Sequence, residues 1–481
     1  MAEGNVLVGL DIGTSSVKGI AIDRSGKVLA MAGASYPLAT PHPGWAEQNP
    51  EDWWKAASSV LERLTAEAGP LTGIGLSGQM HGLVALDADD NVVRPAILWN
   101  DQRTAAECEE IERTIGLHRL IELTGNRALT GFTAPKLLWI RHNEPEAYAR
   151  IKHICLPKDY VRLRLCGTRA IDVADASGTL LLDVRRRTWS EEVLDALQVD
   201  HDWLPQVLES PEVSGYTPDG IPVAAGAGDQ AAGAVGVGVA VPGTVSVVLG
   251  TSGAVFAGLD HYQADAEARV HAFCHAMPDT WHAMGVMLSA AGSLQWFHDV
   301  AAREIGFDEL TAEAEAWEPG AEGLTFLPYL AGERTPHADP DARGVFNGLS
   351  LRHDRGALTR AVLEGVAFGL RDGLDLVNGL GNPATIGRVS GGGAHSDLWM
   401  QIVASILELP LERVAVDEGA AYGAALLGGV ASGVFPDVPT AIAATVKPRE
   451  VIDPIPEWVD RYRELRHDFV DLYPALKALR H

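Results

Sequence analysis

Two short segments of the chain carry the residue types that hold phosphate. The first reads Asp11-Ile12-Gly13-Thr14-Ser15 with Lys18 just beyond it, and the second reads Leu249-Gly250-Thr251-Ser252-Gly253. In each, an apolar β-rich run enters a Gly-Thr-Ser turn and another apolar run leaves it. A hairpin tip of this kind offers main-chain N–H groups and small hydroxyls to an anion. Two such tips could grip the polyphosphate of ATP between them, with Thr14 and Ser15 on one side and Thr251 and Ser252 on the other. Asp11 is a hard oxygen ligand suited to Mg²⁺, and Lys18 adds a cation near the phosphates. A single Gly-Thr-Ser turn is usually a plain hairpin; two copies, one led by Asp and trailed by Lys, favour phosphate binding. No GxxxxGK[ST] run occurs, which excludes a P-loop.

Other residues have two readings each. The stretch Gly226-Ala227-Gly228-Asp229-Gln230-Ala231-Ala232-Gly233 imitates a dinucleotide fingerprint, but its central Asp would repel a pyrophosphate. It reads instead as a loop that places Asp229 at a helix start facing a cleft, where the residue either caps the helix or does chemistry. His81, in Gly78-Gln79-Met80-His81-Gly82, either donates to a sugar hydroxyl or is an exposed loop histidine. His271, His275 and His282 tempt a zinc reading. A strand, however, would separate His271 and His275 by roughly 13 Å, too far for one metal. Most of the twelve tryptophans read as core, with one or two on loops free to stack on a sugar. Gly391-Gly392-Gly393 lets the main chain approach a flat ligand such as adenosine, or simply makes a tight connection. Gly419-Ala420-Ala421-Tyr422-Gly423-Ala424-Ala425 reads as a close-packed helix against the nucleotide lobe.

The elements that must position these groups follow from pattern and punctuation. Residues 5–11, 17–23 and 27–38 read as three strands, and Asn49 with Pro50 opens a helix. A strand through 74–76 delivers the Gln79–Gly82 loop, strands are expected at 83–86 and 92–99, and helices dominate 102–166. The strand–turn–strand pattern resumes near 241–243, with strands at 244–249, 254–259, 270–276 and 281–286. Helices are expected from about 289 and 356, a strand at 386–389 leads into the Gly triplet, and a helical tail at 457–479 breaks near Pro474. Strands opening two halves, each followed by helices, indicate a duplicated α/β lobe, divided as residues 1–241 and 242–481. Ligands in such sheets lie at the carboxyl ends of strands, in the cleft between domains.

The totals set the class. A chain of 481 residues exceeds one core, and a formal net charge of -26 argues against nucleic acid and anionic membrane surfaces as partners. Four cysteines without a CxxC pair read as reduced thiols, and no signal peptide or transmembrane run is found, so a cytoplasmic protein is expected.

Taken in order, these segments resemble the FGGY family of carbohydrate kinases, whose lobes share the ribonuclease H-like fold of actin and the Hsp70 ATPase. The resemblance extends through Pro43–Gln48, Leu98-Trp99-Asn100-Asp101-Gln102-Arg103, Gly131–Trp139, Gly228–Ala232, Leu330–Pro336 and Gly391–Gly393, nearly end to end. It implies two α/β lobes with a ligand cleft, ATP and Mg²⁺, a sugar substrate and a homodimer. The family's catalytic base carries over to Asp229, which shifts the balance from capping to chemistry. The sugar contacts implied are Met80, His81, Gln230, Trp99 and Asp101; the nucleotide contacts are Thr14, Ser15, Lys18, Thr251, Ser252, Gly391, Gly392 and Ser396; Asp11 organises the metal through water. Gln79-Met80-His81-Gly82 is similar to the substrate loop of the xylulose kinases, which implies D-xylulose phosphorylated at C5. Many of those read Gly-Asp-Asn where this chain reads Gly228-Asp229-Gln230, so another ketopentose or a polyol stays open. An actin-like ATPase without sugar kinase activity is the alternative of another class.

Overall fold

The structure, a computed structural model, describes residues 5–240, 242–381, 383–414 and 419–479. Val241, where the sequence division falls, lies outside them. β1 (Val6–Ile12), β2 (Ser16–Ile22) and β3 (Val28–Ser35) form the expected meander. The β1–β2 ladder sets Asp11 opposite Lys18, and the Gly13 N–H closes the turn on the Ser16 carbonyl. α1 (Pro50–Ala68) begins as read, with the Asn49 side chain accepting from the Glu51 N–H. β4 (Leu71–Gly78) then runs parallel to β1 and brings Ser77 beside Asp11.

Between 102 and 166 helices dominate, including α2 (Thr133–Asn143) and α3 (Pro157–Cys166). A strand, His153–Cys155, interrupts them and pairs with Val84–Leu86. Three residues between two Pro-started helices are too few to show a period in the sequence. Of the strand expected at 92–99 only Ala96–Ile97 forms. Pro95 removes a ladder donor there, and the Asp87 carboxylate draws the Asp89 and Asn91 N–H groups into a turn. α4 (Val173–Ser177), β5 (Val213–Tyr216), β6 (Pro222–Ala224), β7 (Ala227–Gly228) and α5 (Asp229–Gly236) complete the first lobe's run of chain. Its sheet is ordered β5-β6-β4-β1-β2-β3, with β7 pairing the end of β4 at Ser77 and Gly78.

The second sheet repeats the scheme. β8 (Thr244–Leu249) and β9 (Gly253–Leu259) form the hairpin, followed by β10 (His271–Cys274) and β11 (Trp281–Met287). α6 (Ala291–Ala301), α7 (Phe307–Glu315), α8 (Arg355–Asn378), β12 (Ile386–Ser390), α9 (Asp397–Leu407) and β13 (Leu411–Val414) come next. α10 (Gly419–Ala431), α11 (Val438–Thr445), β14 (Pro448–Ile452) and α12 (Pro456–Ala478) end the chain. The order is β10-β11-β9-β8-β12-β13-β14. β8 pairs antiparallel with β9 and parallel with β12, as β1 does with β2 and β4, so the expected duplication is present in the pairing itself.

Two differences from the sequence reading concern the later helices. α12 continues through Pro474, which costs it one N–H bond, because Phe469 and Tyr473 on either turn are buried against the second core. α10, expected to lie against the nucleotide lobe, packs instead on β1, β4 and α5 of the first lobe. A Cβ on Gly75 would fall 1.7 Å from the Ala424 carbonyl oxygen, one on Gly9 1.8 Å from that of Ala421, and one on Gly423 1.9 Å from that of Ala232. Only glycine allows backbones this close. α10 and α11 share one buried cluster with Leu7, Ile20 and Ile22, so the division at 241/242 is one of sequence and not of packing. The chain crosses between lobes three times: from α5 to β8, from β13 to α10, and from α11 to β14. No helix among the described residues is long and apolar enough to cross a membrane.

Candidate active site

The first Gly-Thr-Ser tip is held rigidly from outside. Gln48 Nε2 donates to the Thr14 carbonyl at 2.6 Å, Gln79 Nε2 donates to the Gly13 carbonyl at 3.3 Å, and the Tyr36 hydroxyl donates to the same carbonyl. The Trp99 indole N–H donates to Thr14 Oγ1 at 2.9 Å. With its carbonyls taken by neighbours, the tip can turn its N–H groups and Ser15, which is exposed, to an anion. Asp11 stands at the end of β1, where Ser77 Oγ donates to Oδ1 at 3.1 Å. Lys18 is exposed on the facing strand.

β4 ends in the Gln79–Gly82 loop. His81 there adopts a left-handed backbone, φ 68°, and its carbonyl accepts from Lys136 Nζ at 2.8 Å and Thr133 Oγ1 at 3.1 Å. Its ring packs edge-on to Phe132 at 4.7 Å, and Nδ1 lies 2.7 Å from the Gly178 carbonyl. Burial, then the Lys136 ammonium, hold His81 well below the usual histidine range, so the ring is neutral. A carbonyl only accepts, so Nδ1 carries the proton and Nε2 is left as an acceptor. Where the sequence reading had His81 donate to a hydroxyl, this tautomer leaves Nε2 able only to accept. Gly178 is required for this, since a Cβ there would sit 2.4 Å from His81 Nδ1. Gly178→Ala should raise the KM for the sugar by about tenfold or more while leaving the KM for Mg-ATP unchanged, measured by steady-state ADP release.

Asp229 is the first residue of α5, with Gly228 as the N-cap, so it does not cap the helix. β7 delivers it beside the end of β4, and Met80 packs beneath, its Cγ 2.7 Å from where a Gly228 Cβ would lie. Burial first, and the Asp11 carboxylate second, lift Asp229 to about 7, against opposing hydrogen bonds from Gln230. A carboxylate that titrates near neutrality in a cleft is poised as a general base. Asp11 and Asp229 thus lie close enough to repel one another. Among the described residues no group of three or more metal-ligating side chains exists. A pair of carboxylates fits Mg²⁺ that keeps most of its ligands as water and substrate phosphate.

On the second lobe, Thr251 and Ser252 are exposed at the β8–β9 tip. The start of α6 is tied to it: the Ala290 and Gly292 N–H groups donate to the Thr251 carbonyl at 2.9 and 3.1 Å. Gly391, φ 93°, lies against the same tip, where a Cβ would meet Leu249 and Gly250 backbone at 2.6–2.8 Å. Beside it opens a cavity of about 630 Å³ lined by Ala291, Leu294, Gln295, Phe307, Gly392, Ser396 and Leu398 among others. Its walls mix apolar side chains with polar ones, among them Asp308, Glu315 and Asp397, and it lies next to the Thr251–Ser252 tip and a helix N-terminus, a setting that suits a nucleoside. Ser396 caps α9 by accepting from the Trp399 N–H, which leaves its own O–H to donate into this cavity.

One expected sugar contact has partners of its own within the lobe. Asp101 is fully buried, and its oxygens accept from the Ala46 N–H at 2.7 Å and from Arg103, whose guanidinium lies 3.6 Å from the centre of the Trp45 ring. It braces the Pro43–Gln48 loop and does not face the cleft. Trp99, 39% exposed over the first tip, remains available to a sugar face. The three histidines engage different groups: Nδ1 of His271 lies 2.7 Å from Asn126 Oδ1, His275 Nε2 donates to the Val239 carbonyl at 2.9 Å, and the His282 ring stacks on Phe256 at 4.1 Å, with no hydrogen-bond partner for its nitrogens among the described residues. Lys136 and Gly178 were not legible as functional positions. A Lys set in the apolar run 134–140 of the helix Thr133–Asn143 is the signal for the first; nothing local marks the second.

Comparison with known proteins places the chain among carbohydrate kinases. Residues 6–236 match the N-terminal domain of the FGGY family of carbohydrate kinases, and residues 245–432 match its C-terminal domain. The xylulose kinase of Escherichia coli (strain K12) is 44% identical over 440 residues, covering 88% of this chain and 90% of that protein. The xylulose kinase of Lactococcus lactis subsp. lactis is 40% identical over 491 residues, covering 99% and 98%. Among solved structures, a xyloylose kinase from Brucella ovis superposes with a TM-score of 0.94 at 42% identity, covering 99% of this chain and all of that one.

Proposed function

The chain belongs to the FGGY family of carbohydrate kinases, and from that premise we propose that it transfers the γ-phosphoryl group of ATP to the C5 hydroxyl of D-xylulose. The observation that carries the reading is Asp229, lifted to about 7 beside Asp11 and seated over Met80 next to the His81 loop. The name borne by its relatives, xylulose kinase, supports the choice of sugar.

In the proposed reaction the sugar lies between Met80, His81 and Asp229, with Trp99 over one face and Gln230 within reach of a hydroxyl. His81 Nε2 accepts from one hydroxyl and orients the chain. The C5 oxygen attacks the γ-phosphorus as the bond to the ADP oxygen breaks, and Asp229 takes the hydroxyl proton. Because the transition state of phosphoryl transfer is loose, alignment and charge stabilisation lower most of the barrier. Thr14, Ser15, Lys18, Thr251 and Ser252 hold phosphates, and Gly391, Gly392 and Ser396 border the nucleoside. Asp11 would hold Mg²⁺ through water, and the ion would supply neutralisation of the phosphate charge. The protein acts in the cytoplasm as a homodimer on this reading.

The test is coupled ADP release with Mg-ATP across D-xylulose, L-xylulose, D-ribulose, L-ribulose and glycerol. A kcat/KM for D-xylulose at least about tenfold above every other sugar is expected. Preference for another ketose or for glycerol would keep the chemistry and change the substrate. ADP release without sugar, at the same rate, would replace the reading with an actin-like ATPase.

A further inference from the structure

Beneath the sugar site lies a buried charge cluster that the reaction does not use. Lys158 Nζ lies 2.7 Å from Asp159 Oδ1, 2.6 Å from Asp172 Oδ2 and 2.9 Å from Asp175 Oδ2, and Arg162 Nη1 lies 2.7 Å from Asp159 Oδ1. No side chain in it is more than 1% exposed. A cluster this dry is a poor source of stability, because desolvation offsets most of the attraction. Its contacts point to another use.

Every arm of the cluster reaches a segment that carries a site residue. Arg162 donates to the Ala225 carbonyl, four residues before Asp229. The Lys158 stem lies against Gly78, at the end of β4 and paired with Gly228. Asp172 caps α4 through the Asp175 N–H at 2.9 Å and accepts from Ser210, whose carbonyl in turn holds the Gly226 N–H at 2.9 Å. Asp175 Oδ1 has no hydrogen-bond partner among the described residues and lies 3.3 Å from the place of a Gly228 Cβ, beside Met80. α4 itself ends at Gly178, whose carbonyl fixes the His81 ring, and Ser177 Oγ accepts from the Cys274 N–H of β10 at 3.0 Å.

We propose that this cluster is the common mount of the sugar site, and that Asp175 is a positioning residue that fixes Gly228 and Asp229 relative to Met80 and His81. Two cations face three carboxyl groups with no access for water, so one carboxyl keeps a proton. Burial, only partly offset by Lys158, lifts Asp175 well above the usual carboxylate range, which makes it the protonated member. A neutral acid can sit under Gly228 without repelling the nearby Asp229 charge. The proposal rests on the reading of Asp229 as base and His81 as sugar contact.

The experiment compares Asp175→Ala and Asp175→Asn in the full-length protein, with kcat, both KM values and Tm. Removing the carboxyl should lower kcat and raise the sugar KM, each by about tenfold or more, with the KM for Mg-ATP unchanged within about twofold. Asp175→Asn, neutral and of the same shape, should restore both to within about threefold. If Asp175→Ala does not fold, Asp175→Ser keeps a small polar group and reads the same split. A variant that loses only Tm, with kinetic constants of the folded fraction unchanged, would overturn the proposal, as would an Asp175→Asn as damaged as Asp175→Ala. Asp229→Asn run in parallel separates the two layers: turnover retained there sinks the base, while the split at Asp175 still reports on the mount.

Discussion

Asp229→Asn should leave a folded protein whose kcat has dropped by about 10²–10⁴-fold, with the KM for Mg-ATP little changed. The amide keeps the shape at the head of α5 but cannot take a proton from the attacking hydroxyl. The wild type should show the complementary pH dependence. A base that works only when ionised, and titrates at about 7, gives a kcat/KM that falls as pH drops below about 7 and levels above it. Stability should move the other way. Asp229 has its folded-state value raised, so the unfolded chain releases this proton near its ordinary 3.8 while the folded protein keeps it to about 7. Its contribution to stability therefore declines as pH rises between those values and stays low above them. Asp229→Asn removes that penalty, so its Tm should exceed that of the wild type at pH 8 and converge with it near pH 3. A variant that is both inactive and less stable at pH 8 would contradict the assignment of a strained, functional carboxylate.

Gly75→Ala should be the most damaging single methyl group in the molecule. The new Cβ would lie 1.7 Å from the Ala424 carbonyl oxygen and 2.6 Å from the carbonyl carbon, both backbone atoms of α10. No rotamer change relieves a clash between backbones, so α10 must lift from β1 and β4. That exposes a face lined by Leu7, Ala421, Ala425 and Leu426. A cost of about 3 kcal/mol or more is expected, at or beyond the upper end for overpacking. The control is Gly306→Ala, where a Cβ meets nothing within 4 Å and the backbone is not left-handed. Denaturant midpoints for the two variants check this directly: a Gly75→Ala as stable as Gly306→Ala would mean that α10 is not held where described.

Much of the fold and part of the site could be read from the chain. The Gly13–Ser15 and Gly250–Gly253 tips were legible because a hairpin announces itself locally, by turn residues between β-branched runs. From its neighbours in sequence Asp229 was legible only as a residue at a helix start, and the family resemblance alone pointed to a base; what lifts its affinity for a proton is burial and the charge of Asp11, more than two hundred positions away in sequence. The partners of Asp101 were not legible because its motif marks a neighbourhood, while the direction of its side chain is set by Arg103 and the Ala46 N–H. The sense of the His81 hydrogen bond was hidden for the same reason, since Gly178 decides it from across the lobe. The glycines of α10 were seen as a mark of close packing, but composition cannot say which surface a small-residue helix approaches. Local chemistry is written in the sequence; the partners of a side chain are written in the fold.

The return of α10 and α11 to the first sheet bears on how the protein can be made. A ribosome releases the strands of the first lobe early, yet the helix that covers β1 and β4 emerges more than three hundred residues after β4. Until then the nascent chain carries an open, glycine-lined sheet face with apolar neighbours such as Leu7 and Ile20. Contacts so distant along the chain close slowly, and an uncovered sheet invites association with other chains. The amino-terminal half therefore has no complete core of its own: it waits for a helix it does not encode, and a truncation before Gly419 should produce an aggregating fragment and not a working lobe.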